Sequence, residues 1–152
     1  MQIYLSAPVF SQMQRRWNRE FATLLRKRMP ECEVALPQDF KVRGKYNDRQ
    51  RFGELFQRCI EAIDAADAVV ALLDGADSDS GVAFEVGLAY AAGKPVVGVR
   101  TDYRQNQERG LNMMLSKACC EVVCRMAFQE DPQVLVEEVA QKLLSAFKRT
   151  DT

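Results

Sequence analysis

Residues 68–73 (AVVALL) constrain this chain more than any other segment. Six apolar residues in succession are too short for an ordinary helix and leave no polar face to turn toward water. Such a run is expected of a strand covered on both faces, so packing layers must lie above and below one sheet. Other strand-like runs occur at residues 3–9, 34–36, 96–99 and 122–124, alternating with segments of helical spacing. Ser11 and Gln14 form a capping box ahead of Trp17, Phe21, Leu24, Leu25 and Met29, with Pro30 just beyond. Pro37 stops the second strand, and residues 38–47 form a polar, basic loop containing Gly44. Asp48 is placed to cap a second helix whose buried stripe would be Phe52, Leu55, Phe56, Cys59, Ile60 and Ile63. A turn-rich loop at 74–80 leads into a third helix over 81–92, closed by Gly93 at C′ and Pro95 beyond. A polar loop over 101–110, a helical turn over 111–115 and a last amphipathic helix over 132–147 complete the pattern. Strands alternating with helices predict βαβ units. The expected fold is a single doubly wound domain over residues 1–152, flavodoxin-like or Rossmann-like, with a five-stranded parallel sheet. Ligands of such sheets lie beyond the strand C-termini, which directs attention to loops 6–12, 37–48, 74–81 and 101–114.

Charge and composition remove several functions. The 21 basic and 21 acidic residues cancel, which argues against a nucleic-acid surface. No run approaches the roughly 18 apolar residues of a membrane span. The N-terminus reads as a strand that begins the mature protein, without a basic leader. Cys32, Cys59, Cys119, Cys120 and Cys124 form no CxxC pair, so free, mostly buried thiols and a reducing cytoplasmic setting are expected. With no histidine, His-based triads and the usual zinc sites are excluded. The first strand is followed by Ser6-Ala7-Pro8-Val9-Phe10-Ser11, which lacks the glycines of a dinucleotide fingerprint, and no P-loop is present. Asp74, Asp77 and Asp79 resemble part of a calcium loop but lack its glycine and its distal glutamate. Neither a cofactor nor a metal is expected.

The loop 74–81 is the densest candidate site. It leads into a helix with Glu85 near its start, among Val82, Ala83, Phe84 and Val86. A carboxylate near a helix N-terminus should stay ionised, as a nucleophile must. Glu85 is therefore either functional or turned to solvent at a capped helix start. The basic stretch 41–51 (KVRGKYNDRQR) reads either as a solvated loop or as an anion site, and Trp17 and Phe21 as core or ligand platform.

Several segments together resemble the nucleoside 2-deoxyribosyltransferases. They are IYLSAPVF at 3–10, LPQ at 36–38, ADAVVALLDG at 66–75, DSGVAFEVGLA at 79–89 followed by GKP at 93–95, and NMM at 112–114. The run D-S-G-x-A-F-E-x-G-x-A is the specific one. The resemblance implies retaining transfer of 2-deoxyribose between nucleobases, with Glu85 attacking the anomeric carbon to form a deoxyribosyl-enzyme. It implies that Tyr4 orients the nucleophile, that Asp79 and Asn112 hold the sugar 5′-hydroxyl, that Gln38 faces the base, and that Ser80 and Gly81 belong to the substrate site. Asn112 and Met114 would reach a neighbouring subunit's pocket, which implies a homodimer or larger assembly. The implied partners are a 2′-deoxynucleoside and a free nucleobase. One position departs from the family pattern: the usual Asp or Asn eight residues before Asp67 is Cys59. A thiol is a weak donor, so activation of the leaving base needs Asp39, Asp48 or Gln57 instead. Two other readings stand beside the transferase. One is a 2′-deoxynucleoside 5′-monophosphate N-glycosidase, with Ser11, Arg15 and Arg16 available to the phosphate. The other is a non-catalytic nucleotide-binding module on the same fold.

Overall fold

The computed structural model describes residues 1–44, 48–104, 111–126 and 131–150, the side chains of residues 149 and 150 excepted. Five strands, β1 (Gln2–Ser6), β2 (Glu33–Ala35), β3 (Ala68–Leu72), β4 (Val96–Arg100) and β5 (Glu121–Cys124), form one sheet. Its order is β2-β1-β3-β4-β5 and every described pairing is parallel. This is the flavodoxin-like order, and the strand direction of travel reverses between β1 and β3. The helices are α1 (Gln12–Arg28), α2 (Arg49–Ala65), α3 (Ser80–Ala91), α4 (Met113–Ala118) and α5 (Pro132–Thr150).

The two-residue period of the strands divides the core. Ile3 and Leu5 of β1 join Val70, Val97, Val99, Phe21, Leu25 and the α5 residues Val136, Val139 and Leu143 on one face. Tyr4 joins Val69, Ala71, Ile63, Val82, Val86 and Leu115 on the other. All five residues of β3 are buried, as its unbroken apolar run requires. Pro37–Asp39 adds a single 3-10 turn where a polar loop was expected. The turns follow local chemistry. Ser11 and Gln14 make the reciprocal capping box of α1, and Asp48 accepts from the Gln50 amide at the start of α2. Gly93 ends α3 in the left-handed region, at φ +70°. Gly98 is required by packing, since a Cβ there would lie 2.9 Å from Leu73 Cδ1 and 3.1 Å from Cys119 Sγ.

Two expectations are corrected. The α2 stripe is not core: of its residues only Ile63 is buried, while Phe52 and Phe56 are 53% and 55% exposed. Arg51, Phe52, Leu55 and Cys59 line a cleft, and Phe56 lies on the outer surface. Of the thiols, Cys32 and Cys119 are buried, Cys59 is half-buried, and Cys120 and Cys124 are exposed. Leu111 and Leu115 pack into the chain's own core, leaving Asn112, Met113 and Met114 exposed. Residues 45–47 and 105–110, within the two expected polar loops, lie outside the described residues. Among the described residues no helix is long and apolar enough to cross a membrane.

Candidate active site

A cleft of about 540 Å³ opens at the switch point of strand order between β1 and β3. Its walls come from the segment after β1 (Ala7 to Phe10), the segment after β2 (Pro37, Gln38, Phe40, Val42), the inner side of α2 (Arg51, Phe52, Leu55, Cys59) and the start of α3 (Asp79, Gly81, Val82, Glu85).

Glu85 is the focus of this cleft. The Tyr4 hydroxyl donates to Oε1 at 2.7 Å, and the Ser6 hydroxyl donates to Oε2 at 2.5 Å. Tyr4 and Ser6 are two residues apart on β1, so the pleat aims both at the same face of the sheet. Each carboxylate oxygen thus has its own donor, and the group is held in one orientation. Burial pushes the Glu85 carboxyl up from its ordinary value and nearby Asp79 adds to this, while the Ser6 and Tyr4 hydrogen bonds oppose it. The same burial and the Glu85 charge push the Tyr4 hydroxyl far up, so it remains a donor. The free amides at the start of α3 are not what holds Glu85. Gly81 and Val82 give their N–H groups to Asp79 Oδ1, at 2.9 and 3.0 Å. Asp79 therefore acts as N-cap and also presents a carboxylate to the cleft.

The remaining predicted residues divide. Gln38 lines the cleft, but its amide is pinned from both ends. Its oxygen accepts from Asn18 Nδ2 at 3.2 Å and its nitrogen donates to the Arg15 carbonyl at 2.9 Å. Cys59 lines the cleft beside Tyr4 and Glu85, and burial pushes its thiol upward, so it is a neutral group. Gly81 borders the cleft, whereas Ser80 opens α3 on the exposed side and is not among the lining residues. Asn112 caps α4 by accepting from the Met114 amide, and neither residue lines this chain's cleft. The substitutes for a base-activating acid are engaged elsewhere. Asp39 pairs with Arg19, Asp48 caps α2, and Gln57 donates to Glu61 on an exposed face. Asp74, from the aspartate cluster, accepts from the Thr101 and Asp102 amides and fixes the segment after β4.

Three contributors escaped the sequence reading. Ser6 was detectable from its two-residue spacing to Tyr4. Asn18 is wholly buried, donates to the Pro8 carbonyl and to Gln38, and so ties two cleft walls together. Arg51 sits one and two helical turns ahead of Leu55 and Cys59 on the same face of α2; only the fold shows that this face borders the cleft.

Fold and site together define a class: a doubly wound α/β protein that presents an oriented, half-buried carboxylate to a small molecule at its switch point. Within that class, the model of the nucleoside 2-deoxyribosyltransferases matches residues 3–115. The chain belongs to the nucleoside 2-deoxyribosyltransferase family and is an enzyme of the deoxyribosyltransferase or N-glycosidase type. A conserved protein from Enterococcus faecalis V583 is similar in structure, with 31% identity, 93% of this chain and 98% of that chain covered, and a TM-score of 0.71. A 2-deoxyribosyltransferase from Bacillus psychrosaccharolyticus shares the fold at 22% identity, with 90% of each chain covered and a TM-score of 0.71. A CMP N-glycosidase from Clostridium botulinum shares it at 17% identity, with 94% and 98% covered and a TM-score of 0.57. Among curated proteins no match to the chain is found.

Proposed function

We propose that the chain, as one functional unit over residues 1–152, transfers 2-deoxyribose between nucleobases through a covalent deoxyribosyl-Glu85 intermediate. The observation that carries this reading is the pair of hydroxyls, Tyr4 and Ser6, each bound to a different oxygen of Glu85 at the switch-point cleft. In the first step a Glu85 oxygen forms a bond to the anomeric carbon. The C–N glycosidic bond breaks, and its electron pair leaves with the base. In the second step a second base attacks the same carbon and the carboxylate departs, so configuration is retained. Burial makes Glu85 more basic than a solvated glutamate. The two hydroxyls keep it ionised enough to attack and can receive charge back when it leaves. Asp79, facing the cleft from the helix cap, is placed to accept from a sugar hydroxyl. Asn112 and exposed Met114 fit a role in a neighbouring copy's pocket, and exposed Phe56 and Phe84, with ring centroids 6.2 Å apart, give that copy an apolar surface.

The 5′-monophosphate glycosidase is the second reading, favoured by Arg15 lining the cleft near the first loop. One assay addresses both. The protein is incubated with deoxyinosine, deoxyadenosine, deoxyuridine and the matching 5′-monophosphates, with and without a second free base, and the products are separated. New deoxynucleoside formed only when a second base is present supports transfer. Free base and 2-deoxyribose 5-phosphate in equal amounts, with or without a second base, select the hydrolase, and no cleavage of any substrate refutes both.

A further inference from the structure

The end of the cleft remote from α3 has its own chemistry. In a displacement at the anomeric carbon, the leaving group lies on the face opposite the attacking oxygen. With Glu85 on the α3 side, the base must project toward the wall formed by Gln38, Phe40 and Arg51, which Arg15 also borders. Phe40 and Phe52 also line the cleft and give a planar base aromatic surface to pack on. The polar groups there are almost all donors. A guanidinium carries five N–H donors and no acceptor. Arg15 uses one on the Gln38 carbonyl at 3.3 Å, and Arg51 Nη1 reaches the Val42 and Gly44 carbonyls at 3.2 and 3.4 Å. Neither guanidinium has a carboxylate within 4.0 Å among the described residues. The carboxylates bordering the cleft, Asp79 and Glu85, are both at the α3 end. Among the described residues no carboxylate lines the cleft on the base side, and Cys59, a neutral thiol beside Tyr4 and Glu85, is too weak a donor to take an acid's place.

We propose that Arg15 and Arg51, with the pinned amide of Gln38, select a carbonyl-rich nucleobase and stabilise it as the departing anion, in place of protonating it. This rests on the N-glycoside reading above and names its substrate class: pyrimidine-2,4-diones and 6-oxopurines, ahead of amino-bearing bases. As the glycosidic bond breaks, its electron pair enters the ring and is delocalised onto carbonyl oxygens, which accept from the guanidinium N–H groups. The proton the base finally acquires comes from water after release. In the return step the acceptor base reacts as its anion, so its N–H proton is lost to solvent beforehand.

The test uses the full chain and a set of aglycones of graded acidity. Deoxyuridine, 5-fluorodeoxyuridine and deoxyinosine are compared with deoxyadenosine and deoxycytidine, with 7-methyl-2′-deoxyguanosine as a substrate whose base leaves uncharged. The wild type is expected to favour the oxo-bases by about tenfold or more in kcat/KM, and 5-fluorodeoxyuridine over deoxyuridine in kcat. Arg51→Gln and Arg15→Gln should each lower kcat/KM for deoxyuridine about ten- to hundredfold, the scale of a lost hydrogen bond to a charged partner. Both should change 7-methyl-2′-deoxyguanosine cleavage less than threefold, with Arg51→Lys recovering part of the loss. The Arg15 variant keeps the test decisive if the Arg51 variant is misfolded. Equal losses on both substrates, or no dependence on aglycone acidity, overturn the proposal. So does a loss confined to deoxyuridine 5′-monophosphate, which would make the arginines a phosphate clamp. Failure to cleave even 7-methyl-2′-deoxyguanosine would overturn the parent reading as well.

Discussion

Replacing Glu85 by Gln should give a protein that is more stable and inactive. The carboxyl's folded-state pKa lies above its ordinary value, because burial and the Asp79 charge outweigh the Ser6 and Tyr4 hydrogen bonds. The folded chain therefore binds this proton more tightly than the unfolded chain does. The associated stability is fully present below the unfolded-state pKa and is lost as pH rises through the folded-state value. At neutral pH the ionised carboxylate is a net burden on the fold. Glutamine has the same shape and no charge. Its oxygen accepts one hydroxyl, and the other hydroxyl, whose oxygen is also an acceptor, turns to receive the amide N–H. Relief of an unfavourable functional group is typically worth about 0.5–2 kcal/mol. For a chain of this size that is roughly 1–8 °C in Tm. The assay is thermal melting of both proteins across pH. The gain should be greatest above neutrality and vanish in acid below the ordinary glutamate range, while the glycosidic rate falls by several orders of magnitude. A Gln variant less stable than the wild type at pH 8, or a gain independent of pH, would refute the view of Glu85 as a strained functional group.

The other expectations concern the same cleft. The acid limb of kcat/KM should lie above the ordinary glutamate range, and Ser6→Ala should move it further up, since that hydrogen bond favours the ionised form; a pH–rate profile in which Ser6→Ala leaves the limb unmoved counts against it. Cys59→Asp should raise cleavage of amino-bearing deoxynucleosides by about 10–1000-fold, because a carboxylic acid beside Glu85 would keep its proton near neutrality and could donate it; a stably folded variant with no gain shows that the position does not act on the base. Light scattering should give a mass of at least two chains, and Phe56→Glu should lower it; a one-chain mass for the wild type at micromolar concentration removes the proposed neighbour contact. Gly98→Val should cost about 1–3 kcal/mol in denaturant unfolding through its clash with Leu73 and Cys119, and an unchanged midpoint would show that the sheet face there relaxes freely.

The sheet, its parallel sense and most helix ends were legible because each depends on neighbours in sequence. Ser11 with Gln14, Asp48, Gly93 and the run through β3 act within one turn or one strand. What was missed depends on where elements meet. Helical spacing on α2 reports an apolar face but not what that face meets, and here it borders a cleft and outer surface where a core was expected. Gln38 was placed at the cleft by resemblance, yet its restraint by Asn18 and Arg15 comes from a helix some twenty residues earlier in the chain. Arg51 sat inside a basic stretch whose charges look alike in sequence. Only the fold turns this one toward the cleft.

The placement of Tyr4 and Ser6 makes catalysis a reporter of strand register. In β1 the odd positions Ile3 and Leu5 fill the α1–α5 layer, and the even positions Tyr4 and Ser6 hold Glu85. A slip of β1 by one residue against β3 would exchange the two sets. Both hydroxyls would enter an apolar layer, and Ile3 and Leu5 would face a carboxylate. Such a misaligned sheet could keep its helices and much of its compactness and still have no working nucleophile. Circular dichroism would scarcely distinguish it from the native chain, whereas turnover would, so recovery of activity on refolding should lag behind recovery of helical signal wherever β1 first pairs out of step.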